Sequence, residues 1–347
     1  MPSIRIREST MLRHLCQHHI HHYWYALCGL LGLLGLVVVG WTYAAVAQSD
    51  EFAAWLAVVR AEALTLGIRP QTLDTALNEV RLQPLVIELD RKQPERTITY
   101  TQYLARALPK ARVQRGTQLL RRYQALLHEI AARYGVAARF VVALWGIESN
   151  FGQTTGDFPV LASLATLAYD GRRSALFRRE LFEALQIIDE GHIRPQEMIG
   201  SWAGAMGQSQ FMPSSFRQFA VDYDGDGRRD IWGSLPDVFA SIANYLARSG
   251  WHREELWGQQ VTLPSSLSAA TTDLEGSRPL MEWQALGVRR VNGDALPAQS
   301  VAAALVLPDG PGGPAFLVQH NYRILLTWNR SHYFATTVGQ FADQMQE

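Results

Sequence analysis

The sequence predicts an α+β fold that is mostly helical, with a small β-rich region near the C-terminus. Apolar residues recur every three or four positions through most of residues 48–257, which is the period of an amphipathic helix. Residues 258–320 change to short β-prone runs separated by turn sequences such as NGD and DGPGG. The 347-residue chain is 48% hydrophobic and 18% charged, a balance typical of one large or two moderate folded domains.

The first 47 residues differ in composition from the rest of the chain. Arginines and a histidine cluster precede an uncharged run over residues 23–47, which contains LLGLLGLVVVG and ends in Ala-Val-Ala. A basic start, an apolar run and a small-residue end are typical of a secretory signal peptide. An uncleaved run of this length also fits a membrane anchor. Residues 1–47 are therefore predicted to export the chain to the periplasm, as a cleaved signal or as an inner-membrane anchor.

The exported part is predicted to contain no disulfide and no metal–thiolate site, because both cysteines, Cys16 and Cys28, lie in the leader. The whole chain carries 32 basic and 32 acidic side chains. Without the leader's three arginines and one glutamate, 29 basic and 31 acidic side chains remain, a net charge near −2. This balance gives no global basic field for nucleic acid.

Residues 48–135 are predicted to form a helical N-terminal part. DEFAAWLAVVRAEALTLGI has helical periodicity, and RPQTLDTALNEV repeats it after a proline start. The polar, proline-containing stretch LDRKQPERTITY interrupts the pattern, and GTQLLRRYQALLHEIAARYGV resumes it.

Residues 136–257 are predicted to form the main helical core, and residues 258–320 the β-rich region. Residues 321–347 include NYRILLTWNRSHYF, which is interpreted as a strand or turn followed by a helix. This last segment is predicted to complete the core.

A glutamate ends the apolar run 141-VVALWGIESNFG-152. In a helix, Glu148 lies one turn from Leu144 and near Val141 and Trp145, which form the apolar face. Desolvation raises a carboxyl pKa and retains the proton near neutral pH, as a general acid for glycoside cleavage requires. On spacing alone, a glutamate that turns to the surface at a frayed helix end is an equally good interpretation.

The stretch 200-GSWAGAMGQSQFMPSSF-216 combines small residues with polar side chains. Its glycines and alanines permit close approach of another backbone or a ligand. Gln208, Ser209 and Gln210 offer amide and hydroxyl groups to a hydroxyl-rich partner. Taken alone, the stretch is also typical of a tight helix–helix contact.

These two motifs, in this order, resemble the lytic murein transglycosylase B family. DYDGDGRRDIW, ASIANYLARSGW and NYRILLTWNRSHYF extend the resemblance from about residue 50 to the C-terminus. The resemblance implies a lysozyme-like helical core with a helical N-terminal part and a small β domain. It also implies cleavage of the MurNAc-β-1,4-GlcNAc bond of peptidoglycan strands without water, leaving 1,6-anhydro-MurNAc ends.

The resemblance assigns site roles at matching positions. Glu148 matches the single catalytic acid and base, Ser201 a serine near the muramoyl group, and Gln210 a substrate-binding glutamine. Tyr245 matches a cleft tyrosine, and Asn329 the asparagine of a Y-N-x-S segment.

One position departs from that family pattern. The residue before Asn329 is Trp328 rather than tyrosine. An indole retains a stacking face but lacks the phenolic hydroxyl, so a hydrogen bond made by that hydroxyl is not expected here.

The resemblance also explains how one carboxyl group suffices where most glycosidases use two. Glu148 would protonate the glycosidic oxygen, and the MurNAc acetamido oxygen would stabilise the anomeric carbon. The resulting carboxylate would then take the proton of the sugar's C6 hydroxyl, which closes the anhydro ring. No cofactor is expected for this chemistry.

The loop 222-DYDGDGRRDIWG-233 has the spacing of an EF-hand loop. Asp222, Asp224 and Asp226 occupy its first, third and fifth positions, and the Arg228 carbonyl its seventh. The twelfth position is glycine instead of a bidentate glutamate, and Asp237 matches an acidic position of the resembling family. A structural Ca²⁺ or Na⁺ ion is therefore predicted in the 222–237 loop.

Two other functions remain open from the sequence. A hydrolytic muramidase would need a second carboxylate, and the nearest downstream ones, Asp157 and Asp170, have no distinguishing context. A non-catalytic peptidoglycan-binding protein of the same fold would need no buried acid at Glu148.

Overall fold

The computed structural model describes residues 50–92, 98–267, 272–298 and 300–345. The predicted leader, residues 1–47, lies outside the described residues. Within the described ranges, no single helix is long and apolar enough to cross a membrane. Two consecutive helices, Gln124–Tyr134 and Ala138–Ser149, reach that length and composition only together, and they meet at 109°.

Helices dominate the structure, as the sequence predicts. Those before the acidic loop are α1 (50–65), α2 (Pro70–Leu77), α3 (Pro84–Arg91), α4 (Tyr100–Ala107), α5 (Lys110–Arg122), α6 (Gln124–Tyr134), α7 (Ala138–Ser149), α8 (Val160–Asp170), α9 (Ser174–Asp189) and α10 (Pro213–Phe219). Those after it are α11 (Leu235–Arg248), α12 (Leu280–Ala285), α13 (His320–Trp328) and α14 (His332–Gln344).

Local signals explain several of these helix ends. α2, α3, α10 and α11 each have a proline in the first two helical positions, where its missing N–H costs no hydrogen bond. Thr99 and Gln102 form a capping box at the start of α4. Ser234 caps α11 by accepting from the Asp237 amide.

Helix α7 is the central element of the core. Every residue from Phe140 to Gly146 is buried, and α7 packs against α5, α6, α11 and α14. Gly146 permits the closest of these contacts, because an added Cβ atom would lie 2.7 Å from the Phe151 ring and 2.8 Å from the Phe341 ring. The apolar run that the sequence predicts as helical is therefore buried on all sides until its last turn.

Strands occur in two places. Phe158–Pro159 (β1) pairs antiparallel with Ile199–Gly200 (β2). A five-stranded antiparallel sheet has the order β4-β6-β7-β3-β5, with strands Gly258–Thr262 (β3), Asp273–Pro279 (β4), Arg289–Arg290 (β5), Ala302–Val306 (β6) and Ala315–Val318 (β7). This sheet has its own apolar cluster, which includes Val261, Trp283 and Leu317.

The α+β, mostly helical fold class with a small β-rich insert is confirmed. One local prediction is wrong, because residues 320–328 form helix α13 rather than a strand or turn. Tyr322 and Leu325 are both buried and lie three positions apart, so burial of one helical face fixes the segment. The division into parts at residues 48–135, 136–257, 258–320 and 321–347 stays a prediction.

Candidate active site

Glu148 lies in the last turn of α7, and two neighbours on that turn anchor it to the loop 200–211. The Ser149 hydroxyl donates to the Gln208 carbonyl oxygen at 2.7 Å. The Trp145 indole N–H donates to the Gln208 side-chain oxygen at 2.8 Å. Since both bonds are buried, the position of Glu148 relative to this loop is fixed by two well-defined contacts.

The chain leaves α7 through three consecutive residues in the left-handed region. Asn150, Phe151 and Gly152 have φ values of 49°, 60° and 80°. Positive φ is unfavourable for a bulky residue such as phenylalanine, and such strain concentrates at functional sites. The Ser149 hydroxyl stabilises the turn by accepting from the Gly152 amide at 3.0 Å. The turn ends α7 one residue after the glutamate, which is only partly buried there.

The carboxyl group of Glu148 is densely surrounded, and the residue retains a partly exposed surface. Burial raises its pKa from 4.5 to about 7. A hydrogen bond opposes this effect, because the Trp328 indole N–H donates to Glu148 Oε1 at 2.6 Å and stabilises the carboxylate. Among the described residues, no other carboxylate contributes to the raised pKa. Glu148 can therefore lose and regain a proton near neutral pH.

Trp328 is the residue that the sequence interpretation missed. The departure from tyrosine suggested a lost hydrogen bond, but the indole N–H supplies a donor of its own. Aromatic rings hold the indole in place: the Tyr245 ring centroid lies 4.6 Å away and the Phe211 centroid 5.3 Å away. The contact joins residues 180 positions apart in the chain, so only the tertiary structure reveals it.

Tyr245, the predicted cleft tyrosine, lies next to this indole. Its hydroxyl donates to the Thr327 carbonyl oxygen at 2.8 Å, and its ring also packs 4.5 Å from Phe219. Burial raises the pKa of Tyr245 above its ordinary value, so the hydroxyl remains protonated. In this structure, Tyr245 therefore positions the end of α13 and the Trp328 ring.

Gln210 has a φ of 51°, again in the left-handed region. Its side-chain amide donates to the Thr155 carbonyl oxygen at 3.0 Å and to the Gly207 carbonyl oxygen at 2.9 Å. Both donations orient the amide and leave its oxygen as the group that can accept from a ligand. The adjacent Phe211 contacts Trp328, which places Gln210 on the same wall as the indole.

Ser201 and Asn329 complete the predicted glycan-binding set. Ser201 Oγ accepts from the Ala205 amide at 3.0 Å, and within the described chain no acceptor takes its hydroxyl hydrogen. Asn329 is exposed and follows Trp328 directly. Its side-chain oxygen accepts from the Ser331 amide at 3.0 Å, which leaves the NH₂ group for a ligand.

Direct contacts join Glu148, Trp328 and Tyr245, and the other predicted residues are linked to this group through the chain. Glu148 touches Trp328, and Trp328 touches Tyr245 and precedes Asn329 in sequence. Ser201 belongs to the same loop as Gln210, which is folded back by bridges from Gly200 to Met206 and from Met206 to Phe211. Tyr103 was not predicted as a site residue, but the charge of Glu148 and burial both raise its pKa, so it lies near the carboxyl group.

The acidic loop brings three of its predicted ligands together. One carboxylate oxygen from each of Asp222, Asp224 and Asp237 lies within 4.8 Å of the others. Asp237 is fully buried and accepts from the backbone amides of Tyr223 and Asp230 at 2.7 and 2.8 Å. Three carboxylates at this spacing repel one another, and a cation would neutralise them, so the residues fit a hard-cation site.

Asp226 is not part of that carboxylate group, and the Arg228 carbonyl stays a predicted ligand. Asp226 Oδ1 accepts from the Arg228 amide at 2.8 Å, an arrangement that orders the loop locally. Burial and the neighbouring Asp224 charge raise the pKa of Asp237, although its backbone hydrogen bonds oppose this.

The chain is similar to several known proteins. Over 286 residues the chain is 28% identical to membrane-bound lytic murein transglycosylase B of Escherichia coli K12, covering 79% of this chain and 77% of that protein. The crystal structure of Pseudomonas aeruginosa SltB3 in complex with NAG-anhNAM-pentapeptide is 47% identical with a TM-score of 0.82, covering 85% of this chain and 79% of that one. Escherichia coli Slt35 in complex with calcium is 26% identical with a TM-score of 0.71, covering 84% and 92%. Residues 51–343 match the model of the transglycosylase SLT domain, and the chain belongs to that family.

Proposed function

We propose that this chain is a peptidoglycan lytic transglycosylase. It cleaves the MurNAc-β-1,4-GlcNAc bond and leaves 1,6-anhydro-MurNAc ends. The observation that carries the proposal is the partly exposed Glu148, whose carboxyl group accepts from the Trp328 indole and whose pKa burial raises to about 7, with no second carboxylate raising that pKa within the described chain.

Glu148 acts first as the acid and then as the base. Its proton moves to the glycosidic oxygen as the bond from C1 of MurNAc to that oxygen breaks, and the GlcNAc unit leaves as an alcohol. The acetamido oxygen of the same MurNAc stabilises the positive anomeric carbon. The Glu148 carboxylate then takes the C6 hydroxyl proton as O6 bonds to C1. No water is consumed, and Glu148 ends in its starting protonation state.

A pKa near the working pH suits both steps. A stronger acid would be ionised before the first step, and a weaker one would give a poor acid at neutral pH. The Trp328 N–H stabilises the carboxylate that exists between the two proton transfers. The intramolecular O6 nucleophile has a high effective concentration, which removes the need for a protein nucleophile.

The remaining site residues bind and orient the sugar. Gln210 offers its oxygen, Ser201 its hydroxyl hydrogen and Asn329 its amide hydrogens, a set suited to hydroxyl and acetamido groups. SltB3 of Pseudomonas aeruginosa, which is 47% identical, has been crystallised with NAG-anhNAM-pentapeptide and with NAG-NAM-pentapeptide. Slt35 of Escherichia coli has been crystallised with bulgecin A. These complexes support binding of peptidoglycan fragments by this chain.

The acidic loop holds a structural cation in this proposal. Asp222, Asp224 and Asp237 bind Ca²⁺ or Na⁺, and the ion stabilises the segment between α10 and α11. The loop geometry of this site and the calcium complex of Slt35 support it. The ion takes no part in proton transfer.

The proposed location is the periplasm, with export directed by residues 1–47. The substrate class and the membrane-bound relative of Escherichia coli support this location.

The experiment that tests the function compares the full-length protein with its Glu148→Gln variant on purified peptidoglycan. We expect the parent to release soluble muropeptides and the variant to release none at an unchanged circular dichroism spectrum. Undiminished release by the variant would refute the assignment of Glu148. No release by a folded, calcium-supplied parent would instead indicate a peptidoglycan-binding protein.

A further inference from the structure

Positive charge is concentrated on helices α4 to α6. Residues 98–139 contain eight lysines and arginines and a single acid, Glu129, and residues 98–128 contain no acid. The chain without its leader has a net charge near −2, so this segment differs sharply from the rest. Five of its cations are exposed on α4 and α5: Arg106, Lys110, Arg115, Arg121 and Arg122. On α5, Arg115 and Arg122 lie seven positions apart on one face of the helix, whereas Lys110 and Arg121 lie on another. We call Arg106, Arg115 and Arg122 the basic surface.

The cations of the basic surface have no carboxylate partners within the part of the chain that the structure describes. Within the described residues, none of them takes part in an ion pair. Arginines nearby in sequence do pair with acids, in the pairs Arg60–Asp74, Arg69–Asp189 and Arg91–Asp170. The basic surface therefore keeps its whole charge available to a partner in solution.

The basic surface adjoins the candidate active site. The Arg115 guanidinium lies 5.7 Å from the centre of the Phe151 ring, in the turn that follows Glu148. Tyr103, on α4, lies close enough to Glu148 for that carboxylate's charge to raise its pKa. Helix α5 also packs directly against α7, which carries Glu148. A polymer bound at Glu148 thus passes next to α4 and α5.

The charge indicates an anionic partner, and the surface chemistry distinguishes between two kinds. A peripheral membrane surface combines cations with exposed apolar side chains that enter the lipid. Residues 98–139 contribute none of the exposed large apolar side chains of the described chain. Peptide stems of peptidoglycan, in contrast, are soluble and carry carboxylates along their length and at their C-terminus.

We propose that the basic surface binds the carboxylates of the stem peptides on the glycan strand that occupies the active site. The inference rests on the proposed function and adds a second point of attachment, on the peptide rather than on the sugar. Each contact is an exposed ion pair and is weak by itself, but repeated stems along one strand engage several cations at once. Binding through this surface is sensitive to ionic strength, because exposed charges are screened by salt.

The test measures binding to insoluble peptidoglycan by co-sedimentation. All proteins carry Glu148→Gln in the full-length chain, so the polymer stays intact. The test variant adds Arg106→Gln and Arg115→Gln. The matched control adds Arg253→Gln and Arg290→Gln, two exposed arginines outside the segment that also form no ion pair within the described residues. Binding to intact peptidoglycan is measured by this co-sedimentation. Binding to glycan strands whose stems an amidase has removed is measured with the strands immobilised on beads. Both are measured at low and at high ionic strength.

We expect the test variant to bind intact peptidoglycan about three- to tenfold more weakly than the control at low ionic strength. The difference should disappear at high ionic strength and on stem-free strands. Equal binding of the test variant and the control to intact peptidoglycan would overturn the inference. It would also be overturned if the test variant lost as much binding to stem-free strands as to intact peptidoglycan.

A third result would also overturn it. If only binding to vesicles of anionic phospholipid falls in the test variant, the surface binds membranes instead. Failure of the proposed function would be seen in a separate measurement. The parent protein, with Glu148 intact, would then release no anhydro products, whether or not its binding depends on the stems.

Discussion

Replacing Trp328 with phenylalanine tests how the active-site carboxyl group is tuned. The change removes the N–H that donates to Glu148 Oε1 at 2.6 Å and keeps an aromatic ring between Tyr245 and Phe211. The lost bond stabilised the ionised carboxyl group more than the protonated one, so its removal raises the Glu148 pKa.

The size of the effect follows from the strength of such a bond. A hydrogen bond to a charged group contributes about 1.5–3 kcal/mol, and one pKa unit corresponds to about 1.4 kcal/mol. Because Glu148 keeps a partly exposed surface, the lower end applies, and we expect a rise of about one unit above the parent value of about 7.

The assay is kcat/KM for muropeptide release as a function of pH. The first step needs a protonated Glu148, so activity of the parent falls as the pH rises through about 7. In Trp328→Phe this alkaline limb should move up by about one pH unit. Trp328→Tyr is the matched control, because it restores a hydrogen-bond donor, and its limb should remain closer to that of the parent.

The reasoning fails if the limb of Trp328→Phe stays at the parent pH while only the maximal rate falls. The indole would then contribute packing alone. Equal shifts in the phenylalanine and tyrosine variants would show that ring size, rather than the donated hydrogen, sets the pKa.

Three further predictions concern stability. Burial raises the pKa of Glu148 from its ordinary 4.5 to about 7 in the fold, so the cost of its carboxylate to stability grows as the pH rises from 4.5 and is complete above about pH 7. Glu148→Gln should therefore raise the free energy of unfolding by about 3 kcal/mol above that pH and leave it unchanged below pH 4.5. Urea titrations above pH 7 and below pH 4.5 measure both values. An equal gain at both pH values would contradict ionisation of Glu148 as the cause. Gly146→Ala should lower the free energy of unfolding by about 1–3 kcal/mol because its methyl group meets two phenylalanine rings, and an unchanged urea midpoint would refute the packing argument. Asp237→Asn should abolish the rise in melting temperature on calcium addition, whereas Asp226→Asn should retain it, and equal loss in both would mean that the fifth loop position is also a ligand.

The sequence pattern correctly predicted those features of the fold and site that depend on residues close together in the chain. The apolar run of α7 and the glutamate at its end follow from side-chain periodicity, and the raised pKa follows from burial on that face. The β-rich insert follows from turn residues and short β-prone runs. The acidic loop spacing indicates which carboxylates face one another, except at Asp226, which instead accepts from the Arg228 amide.

Features that depend on contacts between residues far apart in the chain could not be predicted from the sequence. Nothing near Trp328 in the chain indicates that its N–H reaches Glu148, because the two residues are 180 positions apart and meet only in the folded chain. Tyr245 was placed in the cleft by resemblance, and only the structure reveals that its hydroxyl is bonded to the Thr327 backbone. Helix α13 was misjudged for the same reason, since burial of Tyr322 overrides its mixed local propensity.

Mass spectrometry of the products tests the central claim most directly. The full-length protein is incubated with purified peptidoglycan, and the soluble muropeptides are weighed before any reduction. The account predicts anhydro-muropeptides, each lighter by one water than the corresponding reducing species, because Glu148 takes the C6 hydroxyl proton instead of activating water. Reducing-end muropeptides would contradict it and would require a hydrolytic mechanism with a second carboxylate beside Glu148.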